Sequence, residues 1–252
     1  MRRIFTLANN KGGVTKTTTT VNLAYGLARA GMRVLVIDTD AQSNSTYSLS
    51  GHLDHTDTLF DVLMGTARLA DMIVGTKQPG LYLVPSSIDL SAADLLMANA
   101  TARETKLKRA LAPLHDQFDY VLIDTPPNLG VMTINAFLAC TDVIIPIALT
   151  TYALIGISIL ERTMQDLRNN MGIALPIFGV VANLFDHTLI SRDVLQAVSE
   201  HFDGLMFETI IPRNIKVEEA HNQIANLFDY APTSTGAQAY AALVEEVLSR
   251  AR

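Results

Sequence analysis

The residues whose types and spacing could best do chemistry lie near the start of the chain, in the segment Lys11-Gly12-Gly13-Val14-Thr15-Lys16-Thr17-Thr18. The apolar run 4–8 precedes this segment, and a helical pattern over 18–30 follows it. A strand, a glycine-rich turn and a helix are the context of a phosphate-binding loop, because backbone N–H groups and the helix N-terminus then converge on an anion. In such a loop, Lys16 reaches the terminal phosphates and Thr17 offers a hydroxyl to Mg2+.

One position of this loop departs from the usual pattern G-x-x-x-x-G-K-[ST]. Thr15 stands directly before Lys16, where the pattern has a glycine. A glycine suits that position because the backbone closes tightly on the phosphates there. The alternative interpretation is a strand, a turn and a helix in which Gly12 and Gly13 form only the turn. The carboxylates farther along the chain favour the phosphate-binding interpretation.

Carboxylates follow two other apolar runs. Asp38 and Asp40 come after the run 33–37, and Asp124 comes after the run 120–123. A carboxylate such as Asp124 beside a phosphate loop can hold Mg2+ through its water shell. Because strand side chains alternate, we expect Asp38 and Asp40 to project to the same side, one serving the metal and the other orienting the attacking water. Taken alone, each aspartate also fits a helix cap or a turn.

Apolar runs alternate with helical patterns along the whole chain, and these elements must position the polar residues. The predicted strands are apolar throughout, which is typical of strands covered on both faces. They span 4–8, 33–37, 81–84, 120–123, 143–147, 178–182 and 207–211. The predicted helices span 18–30, 92–97, 104–114, 131–138, 154–169, 191–202, 215–222 and 238–252. This order predicts an α/β fold with a doubly wound, mainly parallel sheet of seven or eight strands flanked by helices, in a single domain over 1–252.

Ligands of such sheets bind at the carboxyl ends of the strands. The glycine-rich loop and the aspartates follow strands in this way. Asn183 follows the sixth run, and the segment Pro212-Arg213-Asn214 follows the seventh. All these residues are therefore expected at one edge of the sheet.

The overall composition limits the class of protein. The 252 residues are 49% hydrophobic, enough for a sizeable core, and carry a formal net charge of −6. Any nucleic-acid binding must therefore come from a local basic patch. We find no secretory signal and no run of the ~18 apolar residues that span a membrane, which predicts a cytoplasmic protein without a stable membrane anchor. The single cysteine, Cys140, is expected to be a small buried hydrophobe.

Taken together, the motifs resemble those of the ParA/Soj family of deviant Walker A ATPases, which are P-loop NTPases related to MinD. The resemblance runs nearly from end to end. The family's K-G-G-x-x-K-T-[ST] motif corresponds to 11–18, and its D-x-D-P-Q motif to 38–42, with Ala41 in place of proline. Its D-x-P-P-S motif corresponds to 124–128, with Asn128 in place of serine. Its I-P-R-N-x-x-x-x-E-A element corresponds to 211–220.

The resemblance implies an ATPase that uses ATP and Mg2+ and forms a homodimer around two ATP molecules. The ATP-bound dimer of such proteins coats double-stranded DNA without sequence preference, which implies association with the nucleoid. A ParB-like or other adaptor on a cargo stimulates hydrolysis and releases the dimer. The cargo is a plasmid, a chromosome origin or a protein organelle, and turnover is expected to be slow.

The resemblance also assigns roles to single positions. Catalysis falls to Lys11, Lys16, Asp38 and Asp40, with Lys11 reaching across the dimer. Magnesium binding is assigned to Thr17, Asp38 and Asp124. Nucleotide binding is assigned to Lys11, Gly12, Gly13, Val14, Thr15, Lys16, Thr17, Thr18, Asn183, Pro212, Arg213 and Asn214.

Basic residues that open predicted helices are the candidates for DNA contact. Arg192 lies at the start of the helix 191–202, and Lys216 at the start of the helix 215–222. Each phosphate contact adds a salt-dependent increment that is independent of DNA sequence. The alternative for either residue is an ordinary solvated face.

Two other functions remain open from the residues. A membrane-cycling ATPase of the MinD kind requires a cationic amphipathic C-terminal helix, whereas the stretch 241–248 carries Glu245 and Glu246. A nucleotide-switched DNA-binding module with little turnover is the other alternative, because the β-branched Thr15 can strain the loop. An iron–sulfur carrier on the same scaffold is excluded, since one cysteine cannot supply the cluster ligands.

Overall fold

A computed structural model describes residues 3–251, and its strands form one eight-stranded sheet. Strands β1 to β8 span Arg3–Leu7, Val34–Asp38, Val74–Gly75, Leu81–Val84, Tyr120–Asp124, Asp142–Ala148, Ile177–Phe185 and Met206–Pro212. Their order in the sheet is β3-β4-β2-β5-β1-β6-β7-β8. The described pairings are parallel except that of β3 with β4, which is antiparallel. The predicted α/β fold with a mainly parallel sheet is confirmed.

Helices cover both faces of this sheet. Helices α1 to α11 span Lys16–Arg29, Asn44–Ser50, Leu59–Met64, Ala93–Leu96, Lys106–Leu111, Val131–Ala139, Ala153–Met171, Leu189–His201, Ile215–Asn222, Leu227–Tyr230 and Thr235–Arg250. Short 3-10 helices lie at Leu69–Met72, Ile88–Ala92, Arg103–Thr105 and Ala112–Leu114. Among residues 3–251, no helix combines the length and the apolar character needed to cross a bilayer.

The predicted strands all occur, with their ends shifted by a few residues, but several predicted helices differ. The helix expected at 92–97 is a 3-10 turn followed by the short α4, and the helix expected at 104–114 is broken into three pieces around α5. Pro113 lies in the last piece, where it lacks the N–H that a continuing α-helix would use. The last helix was predicted over 238–252; α11 begins earlier, after the N-cap Ser234, and residue 252 lies outside the described residues.

Three short α-helices (α2, α3 and α10) and one strand were missed. Helix α2 is polar and carries no helical apolar period, and it ends at Gly51 in the left-handed conformation. Helix α3 is held by a capping box between Thr58 and Asp61. The strand β3 has only two residues. Such short elements are defined by local hydrogen bonds, which leave little apolar periodicity in the sequence.

Side chains along the central strands alternate between two apolar layers. Val34 and Val36 of β2 face the layer of α1 and α11, whereas Leu35 and Ile37 face the layer of α3, α5 and α6. A third cluster joins β6 and β7 to α7 and α8, and Cys140 packs against it. Burial raises the pKa of the Cys140 thiol to about 12, which fits its expected role as a small hydrophobe. Cover on both faces explains why the strands read as continuous apolar runs.

Helix α1 starts at the middle of the sheet's carboxyl edge, because β1 lies between β5 and β6. Packing against α11 holds this helix: a Cβ on Gly26 would lie 2.3 Å from Cγ2 of Val244. In the strand register, Leu7 at the end of β1 and Asp38 at the end of β2 both pair with Asp124 at the end of β5. The glycine-rich loop and two aspartates therefore meet at one point of the sheet edge.

Candidate functional site

The loop between β1 and α1 turns through two left-handed residues, Gly13 with φ 71° and Thr15 with φ 67°. Left-handed residues on either side of Val14 turn successive N–H groups toward one concave side of the loop, which suits an anion. Asn9 anchors the loop to the sheet. Its Nδ2 donates to the carbonyl of Pro146 at 2.8 Å, and its Oδ1 accepts from the N–H of Lys11 at 3.1 Å.

Thr15 adopts a backbone conformation that glycine takes without cost. For a β-branched residue the left-handed region costs roughly 1–2 kcal/mol. The Thr15 hydroxyl donates to the carbonyl of Val14, and it does not cap α1. Thr15 thus occupies the turn that a glycine would form, and the loop carries the strain.

A cavity of about 350 Å3, here called the loop cavity, lies over this loop. Residues 12–18 form its floor, and Asp40, Gln42, Asn44, Pro127 and His221 complete its walls. Lys16 is 7% exposed, and its Nζ donates to the carbonyl of Lys11 at 3.2 Å. Burial lowers the pKa of Lys16, and the charges of Asp124 and Asp40 oppose that shift. A cation held in this way is suited to an anion that enters the cavity.

Asp124 is fully buried beneath the loop and is surrounded by hydroxyl groups. Its Oδ2 accepts from Thr17 Oγ1 and from Ser45 Oγ, each at 2.7 Å, and its Oδ1 accepts from Thr20 Oγ1 at 3.3 Å. Burial raises the pKa of Asp124, and the hydrogen bonds from Ser45 and Thr17 oppose the shift. Thr17 lines the loop cavity, so this cluster joins the cavity to the buried carboxylate.

Asp38 and Asp40, which were expected to project to the same side, differ in burial and in their contacts. Asp40 lines the loop cavity. Asp38 is fully buried; its Oδ2 accepts from the N–H and the hydroxyl of Thr46, both at 2.8 Å, and its Oδ1 accepts from the N–H of Asp40 at 3.1 Å. Burial, with Asp124 nearby, raises the pKa of Asp38 to about 7. The alternation of strand side chains ends with β2 at Asp38, and it therefore does not extend to Asp40.

Lys11 does not line the loop cavity of its own chain. Its Nζ donates to Thr150 Oγ1 at 3.0 Å and lies 5.7 Å from the ring centroid of Tyr152. The side chain is held at the exposed start of α7 by contacts that solvent can replace. It is thus placed beside the site and not within it.

A second cavity of about 210 Å3, here called the side cavity, adjoins the first. The two cavities share Gly13, Thr15 and Thr18 as lining residues, so the loop forms their common wall. The side cavity brings together Asn183 and the segment 212–214, as the sequence predicted. Its other lining residues are Leu184, Ile211, Val217, Glu218 and Tyr240.

Asn183 lines the side cavity, and its side chain has an unpaired acceptor atom. The residue is fully buried, and its Oδ1 has no hydrogen-bond partner in the described part of the chain. Its Nδ2 lies 3.5 Å from Thr19 Oγ1 and 3.5 Å from the carbonyl of Val181. A buried amide oxygen without a donor costs about 1–3 kcal/mol, which a ligand donor would offset.

The two candidate DNA residues lie on helices that leave the same edge of the sheet. Arg192 is exposed in α8, which follows β7, and Lys216 is exposed in α9, which follows the neighbouring strand β8. Lys216 Nζ contacts Glu219 Oε2 at 2.7 Å. A phosphate on Lys216 would therefore compete with a carboxylate, whereas no ion pair of Arg192 is found among residues 3–251.

Five residues around the loop cavity were not among the predicted site residues. Gln42, Asn44 and Pro127 line the loop cavity, and all three stand within or beside motifs that pointed to it. Ser45 holds Asp124 from α2, a helix that was missed. His221 lines the loop cavity from α9, and no pattern in the sequence indicated it.

The oxygen groups at the loop fit a magnesium ion that is shared with phosphates. Thr17 and the buried Asp124 supply hard oxygen donors at the cavity floor. Within residues 3–251, no three His, Cys, Asp or Glu side chains come together as a metal-binding group. Mg2+ needs no such group, because it is usually held by one or two protein oxygens, substrate phosphates and water.

Comparison with known proteins identifies relatives along the whole chain. The family model described as "AAA domain" (AAA_31) matches residues 2–177. The chain is 39% identical over 254 residues to the chromosome partitioning protein ParA of Caulobacter vibrioides, a match that covers 99% of this chain and 95% of that protein. It is 37% identical over 249 residues to the sporulation initiation inhibitor protein Soj of Bacillus subtilis, with 98% of each covered.

A solved structure shares both the fold and the sequence. It is the cobyrinic acid a,c-diamide synthase from Mycobacterium smegmatis with bound ATP analogue and magnesium. Its TM-score with this chain is 0.85 at 35% sequence identity, and the match covers 98% of this chain and 95% of that one. A protein of this fold thus binds an adenine nucleotide with magnesium.

Proposed function

The chain belongs to the AAA_31 family and, within it, to the ParA/Soj partition ATPases of the MinD/ParA superfamily, and we propose that it hydrolyses ATP to partition or position a cargo. One observation carries the proposal. The loop cavity, lined by the buried Lys16, shares Gly13, Thr15 and Thr18 with a second cavity that is lined by Asn183, whose buried amide oxygen is unpaired. Adenosine triphosphate fits this arrangement, because its anionic phosphate chain suits the loop cavity and its base suits the side cavity.

The phosphates would lie in the loop cavity. The backbone N–H groups of residues 12–18 and the N-terminus of α1 would cradle them, and Lys16 would neutralise the terminal charges. Thr17 and Asp124 would hold Mg2+, with Asp38 beside Asp124 at the end of the neighbouring strand. When bound, Mg2+ neutralises charge that develops on the phosphate oxygens.

The adenine would lie in the side cavity. Asn183 Oδ1 would accept from the exocyclic amino group of the base, which satisfies the unpaired acceptor. Pro212, Arg213 and Asn214 would form the outer wall. Asn214 is held for this by two contacts: it accepts from the N–H of Lys216 at 2.9 Å and donates to Thr235 Oγ1 at 2.7 Å.

Hydrolysis would require residues of both copies in a dimer. Asp40 faces the loop cavity and would orient the attacking water. Lys11 would leave Thr150 and Tyr152 to reach the nucleotide held by the second copy, where its charge would stabilise the transferring phosphoryl group. A homodimer around two nucleotides would therefore be the state that hydrolyses ATP and also the state that binds DNA.

The ATP-bound dimer would bind double-stranded DNA without sequence preference. The protein would therefore be cytoplasmic and associate with the nucleoid. Arg192 and Lys216 would contribute phosphate contacts from the edge where α8 and α9 begin. A ParB-like or other adaptor protein on the cargo would then stimulate hydrolysis and release the dimer. Relatives named for chromosome partitioning support this part of the proposal.

The proposal is tested by phosphate release and DNA binding in the presence of ATP and Mg2+. We expect slow hydrolysis that DNA stimulates and DNA binding that requires the triphosphate. Lys16→Ala should abolish both, because the buried cation at the phosphates is lost. Lys77→Ala removes an equal charge from an exposed turn and should change neither. If Lys16→Ala bound DNA without ATP at the parent's affinity, the proposal that ATP controls DNA binding would be refuted.

A nucleotide-switched DNA-binding module with little turnover remains a second candidate, which the strained conformation of Thr15 favours. It would show ATP-dependent DNA binding without phosphate release. The membrane-cycling alternative finds less support, because the apolar face of α11, including Tyr240, Leu243 and Val247, is buried against the core. Co-sedimentation with liposomes that contain anionic lipids separates it from the first proposal.

A further inference from the structure

Helix α9 forms a wall of both cavities, and His221 is its contribution to the loop cavity. Val217 and Glu218 line the side cavity, and His221, near the helix's end, lines the loop cavity. His221 is thus placed where nucleotide phosphates would lie. Among the lining residues of that cavity, Lys16, Asp40 and His221 can titrate, and His221 is the one whose ordinary pKa lies near neutrality.

A hydrogen-bond chain from α2 sets the tautomer of His221. Ser48 Oγ lies 2.6 Å from the carbonyl of Asn44 and 3.0 Å from His221 Nδ1. A hydroxyl has one hydrogen, and the shorter contact to the carbonyl takes it. Nδ1 must then donate to Ser48. In the neutral ring, Nε2 is left without a proton, and in the described part of the chain it has no hydrogen-bond partner.

The charged groups around His221 do not neutralise a positive ring in the free protein. On α9 itself, Glu218 faces the side cavity, and Glu219 is held by Lys216 and Tyr230. The neutral residues Thr18 and Asn22 of α1 and Ser48 of α2 line a small pocket together with His221. Across the loop cavity stand the opposite charges of Lys16 and Asp40. Burial lowers the pKa of His221 and so favours the neutral ring in the free protein.

We propose that His221 takes up a proton when the phosphates of a nucleotide fill the loop cavity, so that nucleotide binding strengthens as the pH falls through neutrality. The inference rests on the proposed function, because the phosphates supply the negative charge. A protonated ring donates from both nitrogens, with Nδ1 held on Ser48 and Nε2 free for a phosphate oxygen. His221 would thereby connect the bound phosphates to α2 through Ser48.

The direction of the pH effect follows from linkage. In the free protein the pKa of His221 lies below its usual value, and nearby phosphate charge would raise it. Between these two pKa values, binding takes up a proton, and affinity rises by at most about tenfold for each unit by which the pH falls. Above both values the ring stays neutral and contributes no such dependence.

The test is calorimetric titration with a non-hydrolysable ATP analogue and Mg2+, from about pH 6 to pH 8, in buffers of different ionisation enthalpy. The parent is compared with His221→Gln and His221→Asn, which keep an amide donor for Ser48 but cannot titrate. His115→Gln is the matched control, since His115 is exposed beyond the opposite edge of the sheet. Titration of the analogue itself is common to all four proteins and cancels in the comparison.

We expect the parent and His115→Gln to take up more protons and to gain about three- to tenfold more affinity from pH 8 to pH 6 than either His221 variant. Equal proton uptake and parallel pH profiles in all four proteins would overturn the role of His221 and leave the nucleotide site intact. Absence of binding in all four proteins at every pH would overturn the proposed function itself, and the His221 inference with it.

Discussion

The two cavities of the site are lined by different kinds of residues, although only one loop separates them. The loop cavity rests on buried charged and hydroxyl groups whose hydrogen bonds are largely satisfied within the chain, among them Lys16, Asp38 and Asp124. The side cavity is walled mainly by apolar and backbone groups, and its buried polar atom, Asn183 Oδ1, is unpaired. The first is organised before a ligand arrives, whereas the second leaves one contact for the ligand to complete.

This difference indicates how affinity and selectivity divide between the two halves. Removing one member of a buried charged network leaves its partners unpaired and costs 2–5 kcal/mol or more. Removing one hydrogen bond to a base costs less but changes which base is preferred. The loop cavity should therefore govern affinity, and the side cavity should govern the choice of nucleotide.

The largest effect is expected for Lys16→Ala. Loss of the buried cation should weaken binding of an ATP analogue on the order of 100-fold, measured with a fluorescent nucleotide. Lys11→Ala is the comparison, because Lys11 does not line the loop cavity of its own chain. Its nucleotide affinity should stay near that of the parent while its turnover falls. A large loss of affinity in Lys11→Ala would contradict the assignment of Lys11 to the second copy.

Asp124→Asn should give the next largest effect. The substitution keeps the shape of the side chain but removes the charge that would attract Mg2+, so the gain in nucleotide affinity on adding Mg2+ should fall about 10- to 100-fold. A magnesium titration at constant nucleotide concentration measures it. Asp203→Asn, at an exposed position, controls for the loss of one negative charge. An unchanged magnesium response in Asp124→Asn would remove this residue from the metal site.

A smaller effect, and of another kind, is expected in the side cavity. Asn183→Ala removes the acceptor for the adenine amino group and should reduce the preference for ATP over GTP about tenfold, because guanine presents an acceptor there. Competition between the two nucleotides measures this ratio. Asn170→Ala, on an exposed turn of α7, should leave it unchanged. If Asn183→Ala lost equal affinity for ATP and for GTP, Asn183 would not determine the preference between the two bases.

The smallest effect concerns the loop between the cavities. Thr15→Gly relieves a left-handed conformation and should stabilise the protein by about 1 kcal/mol, which raises its Tm by about 2–4 °C in a chain of this size. Thr15→Ala keeps the Cβ and should gain little. Gly13→Ala is the reverse control, because its Cβ would meet no atom within 4 Å, so that only backbone strain is added. Thermal unfolding of the three variants without nucleotide tests the argument, and equal Tm values for Thr15→Gly and Thr15→Ala would refute it.

The parts of the site that follow strands directly were predictable from the sequence, because buried parallel strands leave continuous apolar runs and their ends mark the ligand edge. Asp124 and residues 11–18 are of this kind. Strand alternation predicted that Asp38 and Asp40 project to the same side, but it did not indicate that Asp38 Oδ2 accepts two hydrogen bonds from Thr46 of α2, a helix without an apolar period. His221 was not predictable, since the Ser48 side chain that orients it lies 173 positions away in the chain.

The order of the longer strands and helices, the glycine-rich turn and the residues at the ends of the strands could be predicted from the sequence alone. These features depend on apolar periodicity and on residue types that lie next to each other, which a linear pattern records. Tertiary packing is the reason that Asp40 lines the loop cavity while Asp38 is buried, that the Lys11 amine contacts Thr150, and that His221 lines the loop cavity. Those outcomes depend on contacts between distant segments, whose partners are chosen only when the helices pack onto the sheet.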